Sequence, residues 1–411
     1  MNTETTDFIN DDQTSIWKLF WTFLKIGSTA FGGFMALISV VQNYLVDREK
    51  IISKEDMLDG ISLATILPGP VAVNVVAYAG YRIRGIPGAI TCATAVTLPS
   101  FFLILILSYV YFEYGSIPSI NNIFLGFMPA VIAIIIAAAF NMGKKTLTGK
   151  IEQGIALVSL TVLVLVYVFL PEYKFPTTLG VIFTSGLTGW FVFRNPDNTE
   201  KNHITPQKTV EHSAAFRKKI IISGIILSLL AVAFFNTQFF PASKLFTTFA
   251  GMSLLLFGGG FVFIPLIQDT VVQGHQWVSH KEFVDAIAMG QITPGPILIS
   301  ATFIGYKVAG ITGAITATIG IFAPPAVLML ICTHYLTKLK SSKTLQAILK
   351  GVRCAVIGMI ASAAYAVSMI ADINYITISI FILSLFALMK LRLEVAWIIP
   401  AAGLTTFLAY M

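Results

Sequence analysis

Two stretches of this chain place proline where an apolar run ought to be helical. TILPGPVAVN covers Thr65 to Asn74 and ITPGPILIS covers Ile292 to Ser300, so Pro68-Gly69-Pro70 returns as Pro294-Gly295-Pro296. Proline lacks an N–H and clashes with the preceding turn, and glycine does little to hold a helix together. Each tripeptide therefore predicts a break into two half-helices. A helix restarting at such a break presents free N–H groups and the positive end of its dipole, which is the chemistry of an anion seat. Asn74 and Ser300 fall one turn into the restarting helices, and Thr65, Gln291 and Thr293 add polar groups just before the breaks. A second pair of breaks is expected at Phe31-Gly32-Gly33 and Phe257-Gly258-Gly259.

Ionisable groups at that depth are few. Lys25 lies six residues before the first FGG, and Arg353 lies inside a later apolar run. A cation at the bilayer centre costs about 2.5–3.5 kcal/mol on insertion scales, so each calls for a reason. One reason is a pair of cations lining an anion path; the other is snorkelling to a nearby boundary. Asp59 and Asp285 occupy matched places ahead of the PGP breaks. They read either as coupling or gating carboxylates or as ordinary charges at helix N-termini. Arg82 and Arg84 read as orientation signals in a loop, with an entrance vestibule as the lesser role. No HExxH, CxxC or nucleophile elbow occurs, so no catalytic residue, metal or cofactor is expected and the chain does not read as an enzyme.

The elements that must position these groups are membrane helices. The chain has 411 residues, 56% hydrophobic and 11% charged, with a mean hydropathy of +0.82; soluble domains carry about 25% charged residues. Its partner is the lipid bilayer. The net charge of +7 reads as the basic loops of the positive-inside rule rather than as a nucleic-acid surface. Cys92, Cys332 and Cys354 sit in apolar runs at unrelated spacings, as packing residues. The acidic start, MNTETTDFINDDQT, does not read as a removable leader.

Thirteen apolar segments are expected, among them 17–46, 57–80, 219–238, 245–271 and 282–305. If all cross, 18 basic residues lie on one face and 6 on the other, with the N-terminus cytoplasmic and the C-terminus external. If both PGP segments are re-entrant hairpins the split falls to 16 against 8. Full crossing is preferred on that ground. The chain also repeats: KLFWTFLKIGSTAFGG (Lys18 to Gly33) aligns with KLFTTFAGMSLLLFGG (Lys244 to Gly259) at an offset of 226, which becomes 225 at Gly80-Tyr81 and Gly305-Tyr306. Six segments per copy and one between them turn the second copy over. The expected fold is thus an all-α polytopic membrane protein of two inverted repeats. Its parts are a tail over 1–15, repeats over 16–194 and 241–411, a polar cytoplasmic loop over 195–218 and a linking helix over 219–240.

With FGG, an acidic residue, PGP and a following Gly-Tyr present twice, the chain resembles the chromate ion transporter family in its long, two-domain form. The elements read TAFGGF…MLDGISLATILPGPVAVN…GY and LLFGGGF…FVDAIAMGQITPGPILIS…GY. The resemblance implies a bacterial inner-membrane protein that exports chromate, confers chromate resistance and draws on coupled protons. It departs from symmetry where LATILPGP in one copy faces MGQITPGP in the other, so a substrate-contact role does not transfer between copies. Sulfate has the same charge and nearly the same shape as chromate, which keeps a sulfate or other small-anion importer or exchanger open beside export. An anion channel and a homodimer also stay open.

Overall fold

A computed structural model describes residues 15–31, 34–115, 117–194, 241–257, 261, 263–333 and 342–410. Gly32, Gly33, Gly258 and Gly259, together with 195–240 and its apolar segment 219–238, lie outside the described residues. Within them the first copy holds α1 (Ile16–Thr29), α2 (Phe34–Gln42), α3 (Lys54–Ile66), α4 (Val71–Tyr114), α5 (Pro118–Leu125), α6 (Phe127–Thr146), α7 (Lys150–Phe169) and α8 (Lys174–Phe193). The second holds α9 (Pro241–Ser253), α10 (Phe263–Ile267), α11 (His280–Ile292), α12 (Ser300–Thr333), α13 (Lys343–Ser368), α14 (Tyr375–Phe386) and α15 (Val395–Ala409). Six described helical stretches are long and apolar enough to cross a membrane: Val71–Tyr114, Asn121–Thr146, Lys150–Phe169, Pro176–Phe193, Ile297–Thr333 and Lys343–Ser368.

Length and composition hide how the chain runs, and side-chain pairs reveal it. Asp56, at the start of α3, pairs with Arg82 at 2.7 Å, and a Cβ on Gly60 would collide with the Tyr78 ring. Both pairs are centred on Gly69. A straight helix rises 1.5 Å per residue and would hold residues 56 and 82 about 39 Å apart. The segment read as the crossing 57–80 is therefore a hairpin with PGP at its tip. The segment 282–305 behaves alike: Glu282 pairs with Lys307 at 2.9 Å, and a Cβ on Gly290 would lie 3.1 Å from Ser300 Oγ. The expectation of full crossing is corrected for both PGP segments.

The FGG segments fold back too. Lys18 meets Glu49 at 3.2 Å and Thr22 lies 3.5 Å from Tyr44 Oη, so α1 and the run from α2 through the π-helical turn Asn43–Arg48 lie antiparallel. Leu19, Phe23 and Ile26 of one arm bury against a cluster holding Leu37, Ile38, Val41 and Leu45 of the other. In the second copy Thr248 lies 3.3 Å from His275, and Phe249 stacks on Trp277, which joins α9 to the end of the π-helical turn Gln268–Gly274. His275 is thus half-buried against Trp277 at 4.4 Å.

A third fold-back interrupts α4 at Arg84 and Gly85, which leave helical angles. Gly80 and Gly88 then touch closely enough that a Cβ on either would strike the other's carbonyl. The arms 71–83 and 86–114 are antiparallel. The second copy turns at Ala309 and Gly310 with nearly the same angles: φ is 63° at Gly85 and 59° at Gly310. Positive φ at Lys50 (51°) matches that at Gln276 (53°) as well. The long arms form the frame: Gly27 of α1 packs on the Val96 carbonyl of the 86–114 arm, and α13 packs on α8 through Gly351 and Gly189, small residues that let helix backbones approach closely.

Candidate anion site

The sequence ends α3 at Ile66 because Leu67 before Pro68 is driven extended, with φ −80° and ψ 153°. Gly69 follows at φ +106° and Gly295 at φ +104°, a region glycine reaches far more readily than other residues. Pro70 then caps the restarting helix, whose first residue is Val71. In the second copy Pro296 leads into a short 3₁₀ turn, Ile297–Ile299, before α12 begins at Ser300.

The tips do not leave their glycine N–H groups free. Gly69 donates to the Leu256 carbonyl at 2.8 Å, and Gly295 donates to the Ala30 carbonyl at 2.9 Å. Leu256 and Ala30 stand 226 apart, as do the two glycines, and each immediately precedes an FGG stretch. Each PGP tip thus bonds the carbonyl just ahead of the other copy's FGG stretch. The same reciprocity recurs beyond: a Cβ on Gly69 would collide with the Pro325 ring, while one on Gly295 would lie 3.2 Å from Ser100 Oγ. Ser100 and Pro325 are themselves matched residues at the later offset, near the middle of the long arms. The contacts are thus reciprocal between matched positions of the two copies.

Around these tips the polar residues divide. Asn74 is 0% exposed; its Nδ2 donates to the Pro68 carbonyl at 3.2 Å, and its Oδ1 has no partner among the described residues. Gln291 is buried with Nε2 unpartnered in the same sense. A buried donor or acceptor left unpaired is costly, so such groups mark where a water or ligand completes the network. Ser300 is spent on the Ile297 carbonyl and Thr293 on the Gly290 carbonyl. Thr65 is exposed; its hydroxyl bonds Ser62, and its carbonyl accepts Arg353 Nη2 at 2.6 Å. Arg353 comes from α13, so the second copy delivers a guanidinium to the first copy's PGP tip. No carboxylate among the described residues forms an ion pair with Arg353.

The remaining predicted residues spread out. Lys25 is exposed on α1, and Arg82 is engaged with Asp56 at the hairpin mouth. Arg84 is half-buried at the turn and Asp59 is half-buried on α3. Asp285, matched to Asp59 by sequence, is 1% exposed and accepts the Tyr111 hydroxyl at 2.7 Å. Tyr111, the partner of this carboxylate, is not among the site residues singled out from the sequence. Also missed were the carbonyls of Ala30 and Leu256 and the faces of Ser100 and Pro325. The matched Pro99 and Pro324 were the only signal beside them.

The family model described as Chromate transporter matches residues 17–190 and 243–407. A "Chromate transport protein" of Cupriavidus metallidurans is 28% identical over 395 residues, covering 96% of this chain and 93% of its own. One of the same description from Pseudomonas aeruginosa is 30% identical over 406 residues, with 96% and 92% covered. An uncharacterized transporter of Methanocaldococcus jannaschii is 31% identical over 377 residues, with 91% and 89% covered. No solved structure matches.

Proposed function

The chain belongs to the chromate transporter family, and from that premise we propose a secondary carrier of a tetrahedral oxyanion, chromate first, seated where four hairpin tips converge at mid-membrane. The observation that carries this reading is the reciprocal pair of tip bonds, Gly69 to Leu256 and Gly295 to Ala30. Chromate accepts hydrogen bonds and donates none. The start of α4 at Val71, the Arg353 guanidinium and a rotated Asn74 amide supply donors of the kind it needs. Sulfate offers the same acceptors and is the expected competitor.

Two hairpin pairs entering from opposite faces fit the remaining geometry. The 86–114 arm is about 43 Å long, enough to span the ~30 Å hydrocarbon layer. It begins beside the Asp56–Arg82 mouth and ends where Tyr111 meets Asp285 and Phe112 stacks on Tyr306. Ser100, near its middle, meets the Gly295 tip. Four crossings per copy, four hairpins and one linking crossing in place of thirteen full crossings keep the repeats inverted. Charge supports this arrangement. Arg48, Lys50 and Lys54 join the larger basic group and Lys281 leaves it, giving 20 against 4. The polarisation exceeds that of either arrangement drawn from the sequence, with the N-terminus cytoplasmic. Rocking of one repeat against the other would alternate access to the tips. Export across a bacterial inner membrane, yielding chromate resistance, is the physiological form of the proposal.

Purified protein in liposomes tests it. Preloaded vesicles are expected to take up labelled sulfate and chromate by saturable counterflow, each anion competing with the other. Absence of movement for both anions under every imposed gradient sinks the carrier reading; flux without counterflow makes the protein a channel.

A further inference from the structure

Glu152 and Asp285 are the carboxylates among the described residues that count as buried. Glu152 is neutralised by Lys350 at 2.7 Å. Asp285 has no such partner: its one hydrogen bond comes from the Tyr111 hydroxyl, and the ammonium of Lys281 turns instead to Asn121 Oδ1 at 2.6 Å. The carboxyl fronts a cavity of about 250 Å³ lined also by Lys281, Asp372, Asn374, Thr377 and Tyr410. An ionised carboxylate buried without a cation is costly, and protonation removes that cost.

The geometry points to Asp285 as the residue that binds one proton per transport cycle, exchanging it through this cavity, so that anion movement is tied to the pH gradient. The inference rests on the carrier reading above. A bound sodium ion fits less well, because it needs several oxygens at once and Lys281 stands in the same cavity. The ionisable groups around the site are Tyr111, which bonds the carboxyl from the 86–114 arm, Lys281, Asp372 and Tyr410 in the cavity lining, and Glu282 on α11, itself paired to Lys307. From α6 come Met128 and Pro129. Met128 is the sequence match of Arg353. Two related positions thus hold a cation in the half suited to the anion and a thioether in the half suited to the proton.

Wild type and Asp285→Asn are compared in liposomes with labelled sulfate, first by counterflow without a gradient, then by uptake under a gradient of one pH unit. Each pH unit is worth a factor of ten, so wild type is expected to concentrate the anion about tenfold per coupled proton. Asp285→Asn is expected to keep counterflow and lose concentration. Tyr111→Phe, which removes the hydrogen bond and keeps the ring, is expected to keep concentration and to shift the pH dependence of uptake toward alkaline values. Equal concentration by Asp285→Asn and wild type overturns the proposal, as does concentration driven by sodium in place of protons. An unchanged pH profile in Tyr111→Phe also overturns it, and serves where the Asn variant does not insert. Loss of counterflow in wild type itself removes the carrier reading, a separate result.

Discussion

Gly69→Ala is expected to reduce anion flux by about 100-fold or more, the scale on which misplacement by about 1 Å is felt at a reacting site, while membrane insertion stays intact. Two effects add. The backbone at φ +106° costs a residue with a Cβ on the order of 1–3 kcal/mol. The new methyl would also collide with the Pro325 ring, which is rigid and cannot rotate away. Relief requires the tip to retreat, and retreat breaks the Gly69–Leu256 bond that docks it on the other copy. Gly295→Ala carries the same backbone strain at φ +104°, yet its methyl would find Ser100 Oγ at 3.2 Å, a side chain able to give way. It should be the milder variant. Flux measured beside the yield of membrane-inserted protein checks both, and wild-type flux in Gly69→Ala would reduce the tip to a packing feature.

The second large effect is expected at Arg353. Arg353→Gln keeps an N–H for the Thr65 carbonyl but removes the charge, and should cost about 100-fold in flux, the scale of losing one preorganised donor to an anion. Arg353→Lys restores a point charge without the planar fork and should recover part of the loss, chiefly as a raised half-saturation concentration. If Arg353→Gln transports like wild type, the guanidinium serves only to cap the last carbonyls of α3. The pairing of a helix C-terminus with a cation would by itself justify that bland role, so the Gln variant separates the two.

The breaks at the candidate site were legible in the residues. Proline on either side of glycine marked both helix breaks, and the offset between copies marked which residues are equivalent. What the residues concealed was direction. An apolar segment broken at its middle has the same composition whether it continues across or folds back, because hydropathy reports depth and not heading. The deciding signal was present in charge: Asp56 and Arg82 each stand 13 residues from Gly69, and Glu282 and Lys307 stand 13 and 12 from Gly295. Such mirror-spaced opposite charges close a hairpin mouth. Individually they are worth only about 0–1 kcal/mol when exposed, so they report the fold more than they hold it. The burial of Asp285 was hidden for another reason. Its hydroxyl partner, Tyr111, lies 174 residues away, so only the folded chain brings the two together.

The most direct measurement asks which face each hairpin enters from. Single cysteines replace Lys54, Arg82, Gln276 and Lys307 in turn, in a background lacking Cys92, Cys332 and Cys354, and meet a membrane-impermeant thiol reagent on either side of the cytoplasmic membrane. Positions 54 and 82 should react from the cytoplasmic face alone, and positions 276 and 307 from the outer face alone. Reaction of 54 and 82 from opposite faces would mean that the PGP segment crosses, and the proposed seat between opposed tips would fall with it.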